Sequence, residues 1–176
     1  MRFSTLASYA LVCFGLLQTS ALAVAPGTTF NGWTYECRDT DATQICTFAF
    51  LVGAAETRSP LAKITLGRER STDEFILGAL LPLGIAIGQG ISAQLDAQPK
   101  FNIGMQTCVP TGCLAAFKMA PADVRKFANA DTLTLTFAAF GHQEATVLSI
   151  PLSGIRDAIA AGAFDLAFGP SSGAKN

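Results

Sequence analysis

Residues 131–137 read DTLTLTF, and this short stretch carries the clearest structural signal in the chain. Leu133, Leu135 and Phe137 alternate with threonines, so the apolar side chains would lie on one face of a strand and the threonines on the other. Such a period of two predicts a β-strand with one buried and one exposed face.

Outward from this stretch, short segments of similar composition recur along the chain and are separated by turn-forming residues. They are rich in β-branched and aromatic residues, as strands are. Many short strands at regular spacing predict a mainly β protein, built as a sandwich or barrel. The segments are ICTFAFLV (45–52), LAKITLG (61–67), GISAQLD (90–96), KFNIGM (100–105), CLAAFKM (113–119) and ATVLSI (145–150).

Two segments instead favour short helices, at 121–130 and 153–164. The first begins with Pro121, which suits the first helical turn. The second can be capped by Ser153, and its apolar stripe is formed by Ile155, Ala158 and Ile159. Gly162 occupies the next position of that stripe. It either continues the helix or ends it.

The N-terminus has the pattern of a secretory signal peptide over residues 1–23. Arg2 is followed by an uncharged, mostly apolar run at 6–17 and by small residues at 21–23. A retained membrane anchor is the alternative, although the apolar run is short for a membrane span. We expect one domain over 24–168, a flexible polar tail at 169–176, and a protein exported to the periplasm, outer envelope or medium.

Residues 75–95 form a second uncharged segment, 21 residues long. This length could cross a bilayer. However, it contains Pro82, four glycines and two glutamines, which are typical of strands and turns in water-soluble domains. We therefore predict a buried strand–turn–strand and no integral membrane span after cleavage of the signal peptide.

The charge distribution gives no sign of nucleic-acid binding. Arg2 is the one of the 12 basic residues that lies in the predicted signal peptide, so 11 basic residues remain against 13 acidic ones. No basic run or stripe is present, and nucleic-acid binding would need one.

Four cysteines follow the predicted signal peptide, and an even number in an exported chain indicates disulfides. Three pairings are possible, and the spacing favours one of them. Cys37 and Cys46 would face each other across a hairpin, while the turn VPTG would bring Cys108 beside Cys113. Zinc and redox sites are the alternatives, but structural zinc needs two closely spaced ligand pairs and a redox pair would read C-x-x-C, whereas the spacings here are C-x₈-C and C-x₄-C.

Residues able to carry chemistry are few. His142 lies near Glu144 and could act as a general base, but a solvated turn residue is the simpler interpretation. Asp39 and Asp41 have the spacing of a calcium loop without the rest of its ligands. Ser149 and Ser153 lack a G-x-S-x-G context. We expect no catalytic residue, no metal and no cofactor.

Several of these motifs occur in an order that resembles the invasion-associated locus B family of bacterial exported proteins. They are WTYEC (33–37), LPLG (81–84), CVPTGC (108–113) and the SGIRDAI segment near 153–159. The resemblance runs from about Trp33 to Ala161 and implies an immunoglobulin-like β-sandwich. It implies structural roles for Trp33, Pro82, Gly84, Gly112, Gly154 and the four cysteines, and it brings no catalytic residue.

By resemblance, the function would be that of a non-enzymatic envelope protein acting through protein–protein contacts, with an association with host-cell invasion. Its partner would be an unknown protein at the cell envelope or the host surface. The alternative is a small-ligand or glycan binder, which would need a concave patch of exposed aromatic residues including Trp33 or Phe140. We instead expect Trp33 to pack over a disulfide. An enzyme using His142 is the third hypothesis.

Overall fold

The structure is a computed structural model, and it describes residues 24–39, 44–53, 60–68 and 74–163. The predicted signal peptide at 1–23, Asp41 and the predicted tail at 169–176 lie outside these ranges. The described part contains ten strands, two α-helices and a short 3₁₀-helix at Ile87–Gln89. The strands are β1 (Thr29–Phe30), β2 (Trp33–Asp39), β3 (Gln44–Gly53), β4 (Pro60–Arg68), β5 (Phe75–Leu81), β6 (Ile91–Leu95), β7 (Phe101–Val109), β8 (Gly112–Met119), β9 (Thr132–Ala138) and β10 (Ala145–Pro151).

All strand pairs are antiparallel, in the order β1-β2-β3-β4-β5-β8-β7-β6-β9-β10. Strands β6, β7 and β8 follow one another, and β9 then returns to lie beside β6. This order, β9-β6-β7-β8, is a Greek key, which occurs in most β-sandwiches. The prediction of a mainly β protein is therefore confirmed, while the specifically immunoglobulin-like arrangement stays a prediction.

Strand β7 belongs to two sheets. Its first residues, Phe101–Ile103, pair with β6, whereas Gly104–Val109 pair with β8. We call β1–β5, β8 and the second part of β7 the large sheet. The first part of β7 with β6, β9 and β10 forms the small sheet. Contacts between β10 and β3 bring the two sheets together over one continuous apolar core.

Within the stretch 131–137, residues 132–137 belong to β9, as their alternation predicts. Leu133 and Leu135 are fully buried and Phe137 is nearly so, while the threonines between them are only partly buried. The uncharged segment 75–95 is a strand, a turn and a strand, which confirms that prediction. No helix within the described ranges is long and apolar enough to span a membrane.

The two helices, α1 (Pro121–Asn129) and α2 (Ser153–Ala160), lie where the sequence places them. The predicted cap at Ser153 is wrong, because Leu152 occupies the N-cap position and no side chain caps the helix. The predicted apolar stripe is also partly wrong. Ile155 and Ala158 are buried, but Ile159 is 39% exposed, and Gly154 lies on the buried face instead. Gly162 follows the helix with φ +73°, so it ends the helix.

Candidate functional site

Two disulfides fix the ends of hairpins. Cys37 is bonded to Cys46 and Cys108 to Cys113, which confirms the predicted pairing. Each pair is directly opposite in its strand register, with Cα atoms 4.1 and 4.0 Å apart. In this bonded state the four sulfur atoms hold paired strands in register and are not thiolates able to ligate a metal.

Trp33 packs between the two sheets. It is fully buried, its ring lies 5.5 Å from that of Phe50, and its indole Nε1–H donates to the Pro151 carbonyl over 2.7 Å. We expected it to pack over a disulfide, but the Tyr35–Phe48 pair separates it from the Cys37–Cys46 bridge in the register. Burial also excludes it from any surface patch, so that part of the glycan-binder hypothesis is wrong.

Gly154 and Gly112 lie where the main chain allows no side chain. A Cβ on Gly154 would overlap the Phe30 carbonyl and come within 2.8 Å of the Trp33 ring. A Cβ on Gly112 would overlap the Leu81 carbonyl, and its φ of +147° is also unfavourable for other residues. Both glycines therefore permit close packing.

The loop after β5 and the loop after β9 meet at one end of the molecule. Pro82 leads into a turn at Leu83–Gly84, where Gly84 has φ +85°. The Gly84 carbonyl accepts the Phe140 N–H over 2.7 Å, and Ile85 pairs with Ala139. The LPLG motif thus fixes one loop against another.

Three large apolar side chains protrude from these joined loops. Leu83 is 57% exposed, Ile87 54% and Phe140 79%. We call these three residues the apolar tip. No Asp, Glu, Lys or Arg occurs in the two stretches that carry them, 83–90 and 138–143. Exposed apolar side chains grouped on loops that are joined in this way can mark an interaction site.

A concave cleft of about 590 Å³ opens at the other end of β6. Its floor consists of inward-facing side chains, Leu95, Phe101, Phe117 and Met119. Its rim is polar and is formed by the β6–β7 turn on one side and α1 on the other. We call this feature the β6–α1 cleft.

Two of the residues considered for chemistry, His142 and Asp39, lie on exposed parts of the chain. His142 is exposed in the turn between β9 and β10, where its backbone N–H donates to Ala139. Asp39 is exposed at the end of β2. Within the described ranges, no group of three or more His, Cys, Asp or Glu side chains could hold a metal ion.

The fold and these features define the class as a mainly β domain with two disulfides, a buried tryptophan at the sheet junction and an uncharged apolar tip. A family model described as invasion associated locus B (IalB) protein matches residues 33–163. The chain belongs to this family. The resemblance found from the sequence motifs is thereby confirmed.

Individual relatives agree with this assignment. Two invasion protein B homologs, from Brucella abortus strain 2308 and from B. abortus biovar 1 strain 9-941, are each 24% identical over 131 residues. The alignment covers 74% of this chain and 75% of each homolog. The crystal structure of invasion associated protein B from Bartonella henselae is similar in fold, with a TM-score of 0.67 and 18% identity. That match covers 79% of this chain and 96% of the Bartonella chain.

Family membership and two disulfides both suggest an exported protein, since disulfides persist in oxidising compartments.

Proposed function

We propose that this protein is a non-enzymatic envelope or secreted protein that acts through protein–protein contacts and contributes to association with host cells. The observation that carries the proposal is the apolar tip. Leu83, Ile87 and Phe140 are displayed on loops that a hydrogen bond and a β-bridge fix together. The names of the Brucella and Bartonella relatives supply the link with invasion.

The chemistry of the tip indicates the kind of partner. Because the tip bears no charged side chain, association would be driven by burial of apolar surface rather than by ion pairs. The partner is a protein with an apolar, uncharged recess, in which aromatic anchors such as Phe140 contribute most of the affinity. Binding would then depend little on salt concentration.

A cell-binding assay tests the proposal. Exported protein carrying a fluorescent label is titrated onto intact mammalian erythrocytes, with and without prior proteolysis of the cell surface. We expect saturable binding that proteolysis abolishes, and at least a tenfold weaker affinity for the double variant Ile87→Ser/Phe140→Ser. Val147→Ser is the matched control, since Val147 is 61% exposed on β10, outside the tip.

Three outcomes would contradict the proposal. Absence of saturable binding would remove the host-cell role. Equal binding by the tip variant and the control would remove the tip from the contact. Binding that survives proteolysis and also occurs on phosphatidylcholine vesicles would identify lipid, rather than protein, as the target.

A further inference from the structure

The β6–α1 cleft is a second feature, independent of the apolar tip. The segment Ile87–Gln89 precedes β6, and the cleft residue Leu95 ends that strand. Five residues of β-strand extend about 15 Å, so the two features lie at opposite ends of β6. A ligand in the cleft would therefore not contact the tip.

The change of partner by β7 leaves the cleft open. Where β7 leaves β8 and pairs with β6, the last residues of β8, Phe117–Met119, are aligned with β5 alone in the strand register. The Phe101 and Phe117 rings then meet across the gap, with centroids 4.8 Å apart and planes inclined by 44°. The cleft is therefore lined by apolar side chains that a neighbouring strand would otherwise cover.

The size and lining of the cleft suit a small ligand. Binding sites for small molecules have volumes of about 300–1,000 Å³, mostly apolar walls and a few polar groups. The cleft, at about 590 Å³, falls in this range. Phe101, Phe117 and the flexible Met119 can pack on an alkyl or aryl group.

The charged rim groups are already engaged. The Asp96 carboxylate accepts hydrogen bonds from the backbone N–H groups of Asp131 and Thr132, at 2.9–3.2 Å. Lys126 pairs with Asp123 at 3.0 Å. The rim thus has two carboxylates and one ammonium group, so an anionic ligand would be repelled. Gln98 and Asn129 add neutral amides that can bind hydroxyl groups.

We propose that the β6–α1 cleft binds an uncharged amphiphile. Its alkyl or aryl group contacts Phe101, Phe117 and Met119, and its hydroxyl-bearing head lies at the rim beside Gln98 and Asn129. The chemical class is that of an alkyl or aryl glycoside.

Four probes separate the contributions of chain, head and charge. n-Octyl β-D-glucoside, glucose, octanoate and octylammonium are titrated, below the concentrations at which they form micelles, into ¹⁵N-labelled protein with both disulfides intact. We expect saturable shifts of amides in the β6–β7 turn and α1, with octyl glucoside binding at least tenfold more tightly than glucose or octanoate. Tighter binding of glucose, octanoate or octylammonium than of octyl glucoside would overturn the proposal, as would absence of saturable binding.

Variants locate the site. Asn129→Trp should obstruct the rim and weaken octyl glucoside binding at least tenfold, and Gln98→Trp does the same from the opposite side if the first variant fails to fold. Arg125→Trp, on an exposed position of α1 that does not line the cleft, is the matched control. Phe140→Ser should bind octyl glucoside normally. Loss of binding in Phe140→Ser, or unchanged binding in both rim variants, would mean that the probe adheres elsewhere.

Discussion

At the residue scale, Gly154 shows how a missing side chain determines packing. It lies on the buried face of α2, directly against the Phe30 carbonyl and the Trp33 ring. Its backbone needs no positive φ, so the requirement for glycine here is one of space alone. Trp33 is in turn fixed by its hydrogen bond to Pro151. A single glycine therefore sets the distance between α2 and the start of β2.

Gly154→Ala should destabilise the protein. The added methyl group forces α2 away from Trp33, and overpacking of this kind costs about 1–3 kcal/mol. Urea unfolding followed by circular dichroism measures the change. Gly88→Ala is the control, since no atom lies within 4 Å of a Cβ at that exposed position. Equal stability of the two variants would show that α2 can shift without cost.

Sequence reasoning identified such residues only in part. The motifs marked Trp33, Gly112 and Gly154 as structural, and the structure supplies the physical reason for each. Gly154 packs against Phe30 and Trp33, which lie more than 100 residues away in the sequence, so no local pattern could reveal these contacts. The Ser153 cap was predicted from residue type alone. Leu152 is already in the helical region, with φ −100° and ψ −1°, which moves the helix boundary by one residue.

At the scale of elements, the two disulfides close hairpins of different length. The Cys37–Cys46 bridge spans nine positions in sequence and the Cys108–Cys113 bridge five. In the chain-entropy model, the longer loop stabilises by about 2.7 kcal/mol and the shorter by about 2.2 kcal/mol. The shorter hairpin also has Pro110 in its turn. This proline restricts the conformations of the unfolded chain even when the disulfide is absent.

Removing the Cys37–Cys46 bridge should therefore cost more than removing the other. The variants are Cys37→Ala/Cys46→Ala and Cys108→Ala/Cys113→Ala, compared by urea unfolding without reductant. We expect losses of about 2–3 kcal/mol each, larger for the first pair. A larger loss for the second pair would mean that the register at the β7–β8 hairpin depends more on its disulfide than on its turn.

Arg156 joins the two helices. From α2, its guanidinium donates to the carbonyls of Ala128 and Ala130 at the C-terminal end of α1, at 3.3 and 3.2 Å, and to the Asp131 carboxylate at 3.0 Å. A cation is favourable at this end of a helix. The group is about half exposed, so solvent weakens each contact.

Arg156→Met should lower stability by about 0.5–1 kcal/mol, since it removes these contacts while keeping most of the aliphatic stem. Arg125→Met makes the same chemical change at an exposed position of α1 and serves as the control. High salt should reduce the difference between the two variants. If Arg156→Met and Arg125→Met unfold at the same urea concentration, the helices are held by apolar packing alone.

The elements, like the single residues, could be predicted from the sequence only in part. Strands were predictable because alternation and β-branched residues are local signals. The β6–α1 cleft was not, because Phe101 and Phe117 meet only where β7 changes its pairing partner. The joining of Gly84 to Phe140 also depends on pairing between distant loops. Phe140 was considered as part of a concave aromatic patch, but it lies on the protruding tip.

At the scale of the whole molecule, the two sheets are coupled in three ways. Strand β7 is shared between them, and the apolar core is continuous. Trp33 of the large sheet is hydrogen-bonded to Pro151 of the small sheet. Neither sheet can then lose its structure without exposing apolar surface of the other. This arrangement predicts one cooperative unit rather than two.

Unfolding should accordingly be a single transition. Trp33 is the only tryptophan, so its fluorescence reports the junction between the sheets, whereas far-UV circular dichroism reports strands throughout. We expect both signals to give the same urea midpoint and slope, as two-state unfolding requires. A fluorescence transition at lower urea would show that β10 and α2 detach from Trp33 first. In that case the small sheet unfolds separately, and the coupling through β7 is weaker than its shared pairing implies.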